Sequence, residues 1–285
     1  MKFPIQYKNG NVKITLHSDG TKIRTFTGEP MPEFPESNDL KITNKCDINC
    51  PYCHESSLPG ARGGNIYRII QELETLPPVG IELAIGGGNP GSHPDLIFLL
   101  ETLKKRNFIC NITLHREHAW RIEDFILQDL VHGIGISGAK VPEFLWNNVI
   151  YHFIAGINNI EDIEPFKKIL VLGFKNLGRG KKCNQEKIKK NLDRWYKYIP
   201  MYFKEKIISF DNLAIEQLGI KRFFTDEGWK YFYMGDDGQF SMYIDGVRGE
   251  FAISSTSKKR VSWNETSIIN FFQKEFLWTK NLKNF

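Results

Sequence analysis

From residue 39 to about residue 212, short apolar runs alternate with helix-length amphipathic patterns, and this alternation restricts the fold more than any other feature of the chain. Strand-like runs fall near 39–43, 81–85, 108–113, 132–136, 149–155, 168–173 and 206–210. Helical patterns lie between them, near 65–76, 93–106, 117–129, 142–148, 160–167 and 185–199. Strands joined by helical crossovers run parallel, because an antiparallel partner needs only a tight turn. Six or seven βα units of this size favour a partial or nearly closed barrel over a flat doubly wound sheet, a choice that periodicity alone does not make. The expected class is therefore α/β, a partial (β/α)6-type TIM barrel.

The flanks read differently. Phe3–Tyr7, Val12–Leu16 and Lys22–Phe26 are strand-like and separated by Asn9-Gly10 and Ser18-Asp19-Gly20, which are hairpin turn signals, so residues 1–30 form a small N-terminal β-meander. A Pro-rich link, Pro30 to Glu36, feeds the core, assigned to 31–212. Trp229–Met234, Gln239–Ile244 and Val247–Ser254 alternate apolar with polar residues. Residues 213–285 are accordingly expected to form a second β-meander, followed by an amphipathic helix near 264–278, covering the barrel.

In parallel barrels, chemistry collects at the carboxyl ends of the strands. Directly after the first core strand, Leu40-Lys41-Ile42-Thr43, come three cysteines spaced as Cys46-x3-Cys50-x2-Cys53, with Tyr52 before the third. Three thiolates on one short loop can each take one iron of a 4Fe-4S cube and leave the fourth without a protein ligand, whereas a structural zinc or cluster site takes four. A zinc reading needs a remote fourth ligand, since His54 adjoins Cys53 and the remaining cysteines, Cys110 and Cys183, are single and distant. A disulfide framework fits poorly with five cysteines and an N-terminus lacking an apolar segment. A reducing, cytoplasmic location is expected. No run approaches the ~18 apolar residues of a membrane span.

The second core strand ends Gly86-Gly87-Gly88-Asn89-Pro90, where a backbone free of side chains can lie against a ligand. Together with the cysteine triad one βα unit earlier, it resembles the signature of the radical S-adenosylmethionine (radical SAM) enzymes. The resemblance covers residues 39 to about 212. It implies a single 4Fe-4S cluster on Cys46, Cys50 and Cys53 whose open iron chelates SAM. An electron from a flavodoxin- or ferredoxin-like reductant then cleaves SAM to methionine and a 5′-deoxyadenosyl radical, which abstracts hydrogen from the substrate. It also implies SAM contacts at Tyr52, at the backbone of Gly86, Gly87, Gly88 and Asn89, at Ser137 ending the fourth strand, and at Gly156 and Ile157 after the fifth. The family's usual Glu in the glycine motif is here Gly88. Auxiliary clusters are not expected, since two further cysteines cannot hold a second cubane.

The formal net charge of +5 is unevenly placed: residues 175–206 hold eleven Lys/Arg against three acids. The helix near 185–199 has an ordinary solvated basic face. In the loop Lys175 to Cys183, by contrast, glycines separate the cations at a strand's carboxyl end, so Lys175, Arg179 and Lys181 are candidate receptors for an anionic substrate. Asp211 either meets substrate or caps the following helix. Cys183 is either a hydrogen-atom donor or an idle thiol, and Cys110 a buried apolar residue. Three readings stay open: an enzyme acting on an anionic small molecule or nucleotide-like substrate; one modifying a peptide or protein, glycyl-radical activation included; and a non-catalytic Cys/His metal module contacting nucleic acid. Membrane and nucleic-acid partners are not expected of the first two.

Overall fold

The computed structural model describes residues 2–144 and 146–282. Three antiparallel strands come first: β1 (Ile5–Asn9), β2 (Val12–Leu16) and β3 (Lys22–Thr25). Asn9 and Gly10 make the first turn, with Gly10 at φ 60°, a conformation glycine takes without penalty. The buried Asn9 amide donates to the Phe34 carbonyl at 2.7 Å and accepts from the Glu33 N–H at 2.8 Å, fastening the turn to the Pro-rich link.

The core then runs β4 (Ser37–Thr43), α1 (Ile66–Leu73), β5 (Glu82–Gly87), α2 (Leu96–Lys105), β6 (Ile109–His115), α3 (Ile122–Leu127), β7 (Gly133–Ser137), β8 (Val149–Ile154), β9 (Lys168–Leu172), α4 (Gln185–Tyr198) and β10 (Ile207–Phe210). It is followed by α5 (Asn212–Gln217), α6 (Asp226–Phe232), β11 (Ser241–Asp245), β12 (Glu250–Ala252), β13 (Val261–Ser262) and α7 (Ile268–Leu282). The expected α/β class holds. Strands β4 to β10 pair in parallel as neighbours, and the curved sheet has the order β10-β9-β8-β7-β6-β5-β4-β11-β12-β13.

Helix apolar stripes press on the outer face of this sheet. Ile66, Ile69, Ile70 and Leu73 of α1, and Leu96, Leu99, Leu100 and Leu103 of α2, are all buried, each contributing about 1.5–3 kcal/mol. Asn65 starts α1 by accepting from the Arg68 N–H at 3.1 Å.

Three expectations need correction. No helix forms over 142–144 or 146–148, a turn-rich stretch entered through Pro142; Leu145 lies outside the described residues. The helix expected at 160–167 is a single 3-10 turn, Ile160–Ile163, stopped by Pro165. The strand expected at 229–234 falls largely within α6, because Thr225 caps it (Oγ1 accepts from Gly228 N–H, 3.1 Å) and Asp226 and Glu227 favour its amino end. The strand after it, β11, pairs in parallel with β4 and so continues the barrel wall.

The inner face of the sheet carries charged and polar side chains on β4, beside apolar ones such as Ile154 and Leu172. Asp39 lies opposite Ala84 and Tyr243, and Lys41 opposite Gly86 and Asp245. A Cβ on Gly135 would collide with the His152 ring, so this glycine makes room for an imidazole in the lumen. The meander lies along the amino ends of the strands, tied there by ion pairs of Lys22 with Glu82 and Arg24 with Glu36.

Candidate active site

The three cysteines occupy an excursion between two paired segments. Leu58 N–H donates to the Asn44 carbonyl (3.2 Å), Cys46 N–H to the Leu58 carbonyl (3.0 Å), and Asn44 N–H to the Arg62 carbonyl (3.0 Å), so the chain leaves and re-enters β4's edge at one place. Within the loop, Cys53 N–H reaches the Cys50 carbonyl and Asn49 and Ser56 take left-handed backbone angles. All three thiols are free and half-buried. Burial first, then Cys53 and Cys46, push the Cys50 thiol above its ordinary range, while the Tyr52 hydroxyl bonded to it acts in the opposite sense. The same environment raises the Tyr52 phenol to about 12.

Sequence reasoning missed the support beneath this loop. Lys41 is buried, and its Nζ bonds Glu55 (2.5 Å) and Asp245 (3.1 Å). The Tyr243 hydroxyl donates to the other Glu55 oxygen at 3.1 Å. Burial alone would raise the Glu55 carboxyl; the Lys41 bond and charge, with His54 and Tyr243, overcome it and hold it low. An ordinary strand alternation conceals Lys41, and Asp245 comes from 204 residues away.

The glycine strand end serves this loop in two different ways. Gly88 N–H donates to the Thr43 carbonyl and Asn89 N–H to the Lys45 carbonyl, both at 2.7 Å. A Cβ on Gly87, whose φ is 118°, would strike the Thr43 carbonyl, and one on Gly88 the Lys45 carbonyl. Only at Gly86 would it meet open space. Gly87 and Gly88 thus bring β5 onto the stem of the cysteine loop, while Gly86 leaves the lumen clear. Gly86→Val is expected to raise the SAM dissociation constant at least tenfold, about 1.4 kcal/mol, with iron content intact. Gly88→Val should lose iron as well, because the stem must move. Equal iron loss in both variants would show that Gly86 too serves only the stem.

Beside the loop lies a chamber of about 200 Å³ lined by residues including Cys50, Tyr52, Thr113, Ser137, His152 and Lys175. Burial lowers the His152 imidazole to about 4, so it is neutral near pH 7. Ser137 Oγ is directed at the Leu114 carbonyl (3.4 Å). The expectation for the β8 end shifts by a few residues: Ile154 and Asn158 line the chamber, whereas a Cβ on Gly156 would press on Ile188, Leu192 and Phe174, on the α4 side. Ile157 sits in the turn between them, its N–H on the Ile154 carbonyl.

Of the three expected anion receptors, Lys175 lines this chamber. Lys175 Nζ bonds the Ser255 hydroxyl at 2.8 Å, Arg179 bonds carbonyls of the cysteine loop, and Lys181 is exposed. Asp211 is the cap of α5, accepting from the Ala214 N–H (2.7 Å) and also the Gly173 N–H (2.9 Å). Cys183 comes to the cysteine loop, its sulfur 3.8 Å from the Pro51 carbonyl, and is not among the chamber's lining residues. Cys110 is buried in β6.

Deeper in the lumen is a second chamber of about 420 Å³. Asn111 lines it and Thr113, two residues on along β6, lines the first, so the two chambers lie end to end. Its walls include Asp39, Asp211, Asp237, Lys22 and Arg24. Both cations are matched by Glu36 and Glu82, and Asp237 accepts from the Asn212 amide at 2.7 Å. Among the described residues none bonds the Asp39 carboxylate. It projects into the open lumen yet is walled by protein, and burial, reinforced by Asp237 and Asp211 and opposed by Lys175, raises its carboxyl.

Among the described residues no three His, Cys, Asp or Glu side chains are arranged to hold a single metal ion. A cubane asks for something else, one thiolate per iron corner with the fourth corner free. A loop bearing three free thiols fits that requirement, and the buried, unpartnered Oδ1 of Asn89 offers an acceptor at the glycine strand end. No described helix is long and apolar enough to cross a membrane. No curated protein matches the sequence. Solved structures of SuiB from Streptococcus suis share the fold. The one bound to S-adenosylmethionine aligns at TM-score 0.64 and 11% identity over 96% of this chain and 88% of that one. SuiB bound to precursor peptide SuiA aligns at 0.59 and 12% identity, covering 85% of this chain and 65% of that one, so the chain spans about two thirds of the peptide-bound protein. Residues 40–203, more than half of the chain, match the family model of the Radical SAM superfamily, and the chain belongs to that superfamily, whose members use a 4Fe-4S cluster and S-adenosylmethionine.

Proposed function

We propose that this chain is a radical SAM enzyme in which Cys46, Cys50 and Cys53 each hold one iron of a single 4Fe-4S cluster, and that its substrate is a peptide presenting a basic side chain to Asp39. When bound, the cluster and SAM supply reductive carbon–sulfur cleavage and abstraction of a hydrogen atom from the substrate. The reducing electron comes, in this reading, from a flavodoxin- or ferredoxin-like protein. The chain's own residues orient and enclose. The Gly86 backbone and Asn89 receive the methionyl end of SAM, Tyr52 and Ser137 wall its chamber, and the neutral His152 lines it without adding charge.

The observation that carries the substrate half is Asp39, a carboxylate left without a partner in a chamber whose cations are already paired. An anion placed there would meet three aspartates; an ammonium or guanidinium would offset them. Two cations of the basic loop that suggested an anionic small molecule are bonded, Lys175 to Ser255 and Arg179 to the cysteine loop. A peptide is favoured by a groove of about 670 Å³ lined by Phe26, Pro30, Trp229, Tyr231 and Tyr233, which shares Lys22, Arg24, Met234, Gly235 and Phe240 with the deeper chamber. Such an aromatic groove suits an extended chain. The peptide-bound neighbour of the same fold lends further support.

The test uses anaerobically reconstituted protein with SAM and a reductant. A pool of Lys- and Arg-containing peptides should raise 5′-deoxyadenosine formation above the uncoupled rate, with a mass change in a peptide. Acceleration by a pool of nucleotides and sugar phosphates, and not by the peptides, would overturn the substrate assignment. Asp39→Asn should lower peptide-dependent turnover at least tenfold, about 1.4 kcal/mol, and leave uncoupled cleavage unchanged. It should also stabilise the apo-protein at pH 7.5. A carboxyl raised by the fold opposes folding when charged, so the gain is full above its folded value and vanishes as pH falls through the ordinary carboxylate range. Solvent in the lumen screens the effect, so a Tm rise of about 1–2 °C is expected, read by calorimetry at pH 7.5 against pH 4.

A further inference from the structure

The loop after β9 is a clasp on the cysteine loop. Arg179 makes three contacts with it: its N–H donates to the Cys53 carbonyl (2.9 Å), Nε to the Cys50 carbonyl (2.8 Å) and Nη1 to the Ser57 carbonyl (2.8 Å). One side chain therefore ties the middle of the excursion to its returning limb. The flanking glycines make the approach possible. Gly178 takes φ 52° and a Cβ there would collide with the His54 carbonyl, while a Cβ on Gly180 would lie 2.6 Å from the Lys175 carbonyl. Glycine, arginine, glycine is thus a backbone-contact motif here, with the planar guanidinium meeting two carbonyls in fixed geometry, as an ammonium cannot.

We infer that Arg179 is a positioning residue that holds residues 46–58 in the ligating shape before any iron arrives and keeps a positive charge beside that loop. The inference rests on the assignment of Cys46, Cys50 and Cys53 as iron ligands. Without the clasp the excursion would be held at its stem, by Glu55 and by the Asp47–His118 pair, none of which touches the stretch from Cys50 to Cys53, and the thiols there would sample separate positions. The charge has a separate consequence, because a fixed cation near a cluster favours its reduced form.

Hydrogen exchange on the full-length apo-protein reads the clasp without metal. In Arg179→Gln the amides of Cys53 and Ser56 should exchange at least tenfold faster, with those of α2 unchanged. Arg179→Lys keeps the charge but loses the paired geometry, so its loop should also exchange faster. After reconstitution, both variants should lose iron to a chelator faster than wild type. The midpoint potential should fall in Arg179→Gln and stay near wild type in Arg179→Lys. Unchanged exchange in the loop of Arg179→Gln overturns the inference. If that variant unfolds, seen as faster exchange in α2, Arg179→Lys decides on the same criterion. Failure of the wild type itself to take up iron and sulfide would instead sink the ligand assignment.

Discussion

Anaerobic reconstitution of Cys50→Ala is expected to give folded protein that neither retains about four irons per chain nor cleaves SAM. If the three cysteines hold the cluster as proposed, the two thiolates left in this variant would hold a cubane poorly. The apo-fold should survive, because the excursion contributes no apolar side chain to the core: Ile42 before it and Ile66 after it are fully buried, whereas Leu58 within it is 53% exposed. Thermal unfolding of apo wild type and apo Cys50→Ala should therefore agree within a degree or two. The effect falls on chemistry alone, and Cys46→Ala and Cys53→Ala should behave alike. Sustained SAM cleavage by a clean Cys50→Ala preparation would remove the cluster assignment.

Lys41→Met should have the largest effect on stability. Its ammonium is 3% exposed and faces Glu55 and Asp245, so truncation leaves two carboxylates at the top of the lumen with no cation. Breaking a buried ion pair in this way costs about 3–5 kcal/mol, a large share of a typical domain's stability. The denaturation midpoint in urea should fall accordingly, with iron lost as the Glu55 anchor of the cysteine loop is released. Adding Asp245→Asn to Lys41→Met should recover part of the loss by removing one unpaired charge. A midpoint unchanged in Lys41→Met would mean that the lumen is wet enough to solvate both acids.

The strand periodicity was legible because most core strands bury an outward row of apolar residues, as in Leu83 and Ile85 of β5. The cysteine spacing and the glycine strand end were legible because each is written in a few neighbouring residues, although the glycines act on Thr43 and Lys45 of the preceding strand and loop. What misled was local. Trp229–Met234 alternates like a strand, yet the Thr225 cap and the acids behind it make most of it a helix. Residues 160–167 have a helical pattern that Pro165 ends after one turn. Arg179 and Lys175 look like free cations in a glycine loop because their partners, Cys50, Ser57 and Ser255, are between 80 and 129 residues away.

By itself, the sequence determined the parallel barrel, the position of the cysteine triad at a strand's carboxyl end, and the membership that follows from them, since alternation and spacing are short-range properties of the chain. Only the tertiary structure decided the charge of the lumen. Parallel pairing brings β11 beside β4 across some two hundred residues, setting Asp245 on Lys41 and Tyr243 on Glu55, while the meander matches Lys22 and Arg24 with acids. Which charges remain unpaired is a property of that closure. Arg179 of the basic loop is spent on carbonyls of the cysteine excursion, and Asp39 faces the chamber with none of the described residues bonded to it.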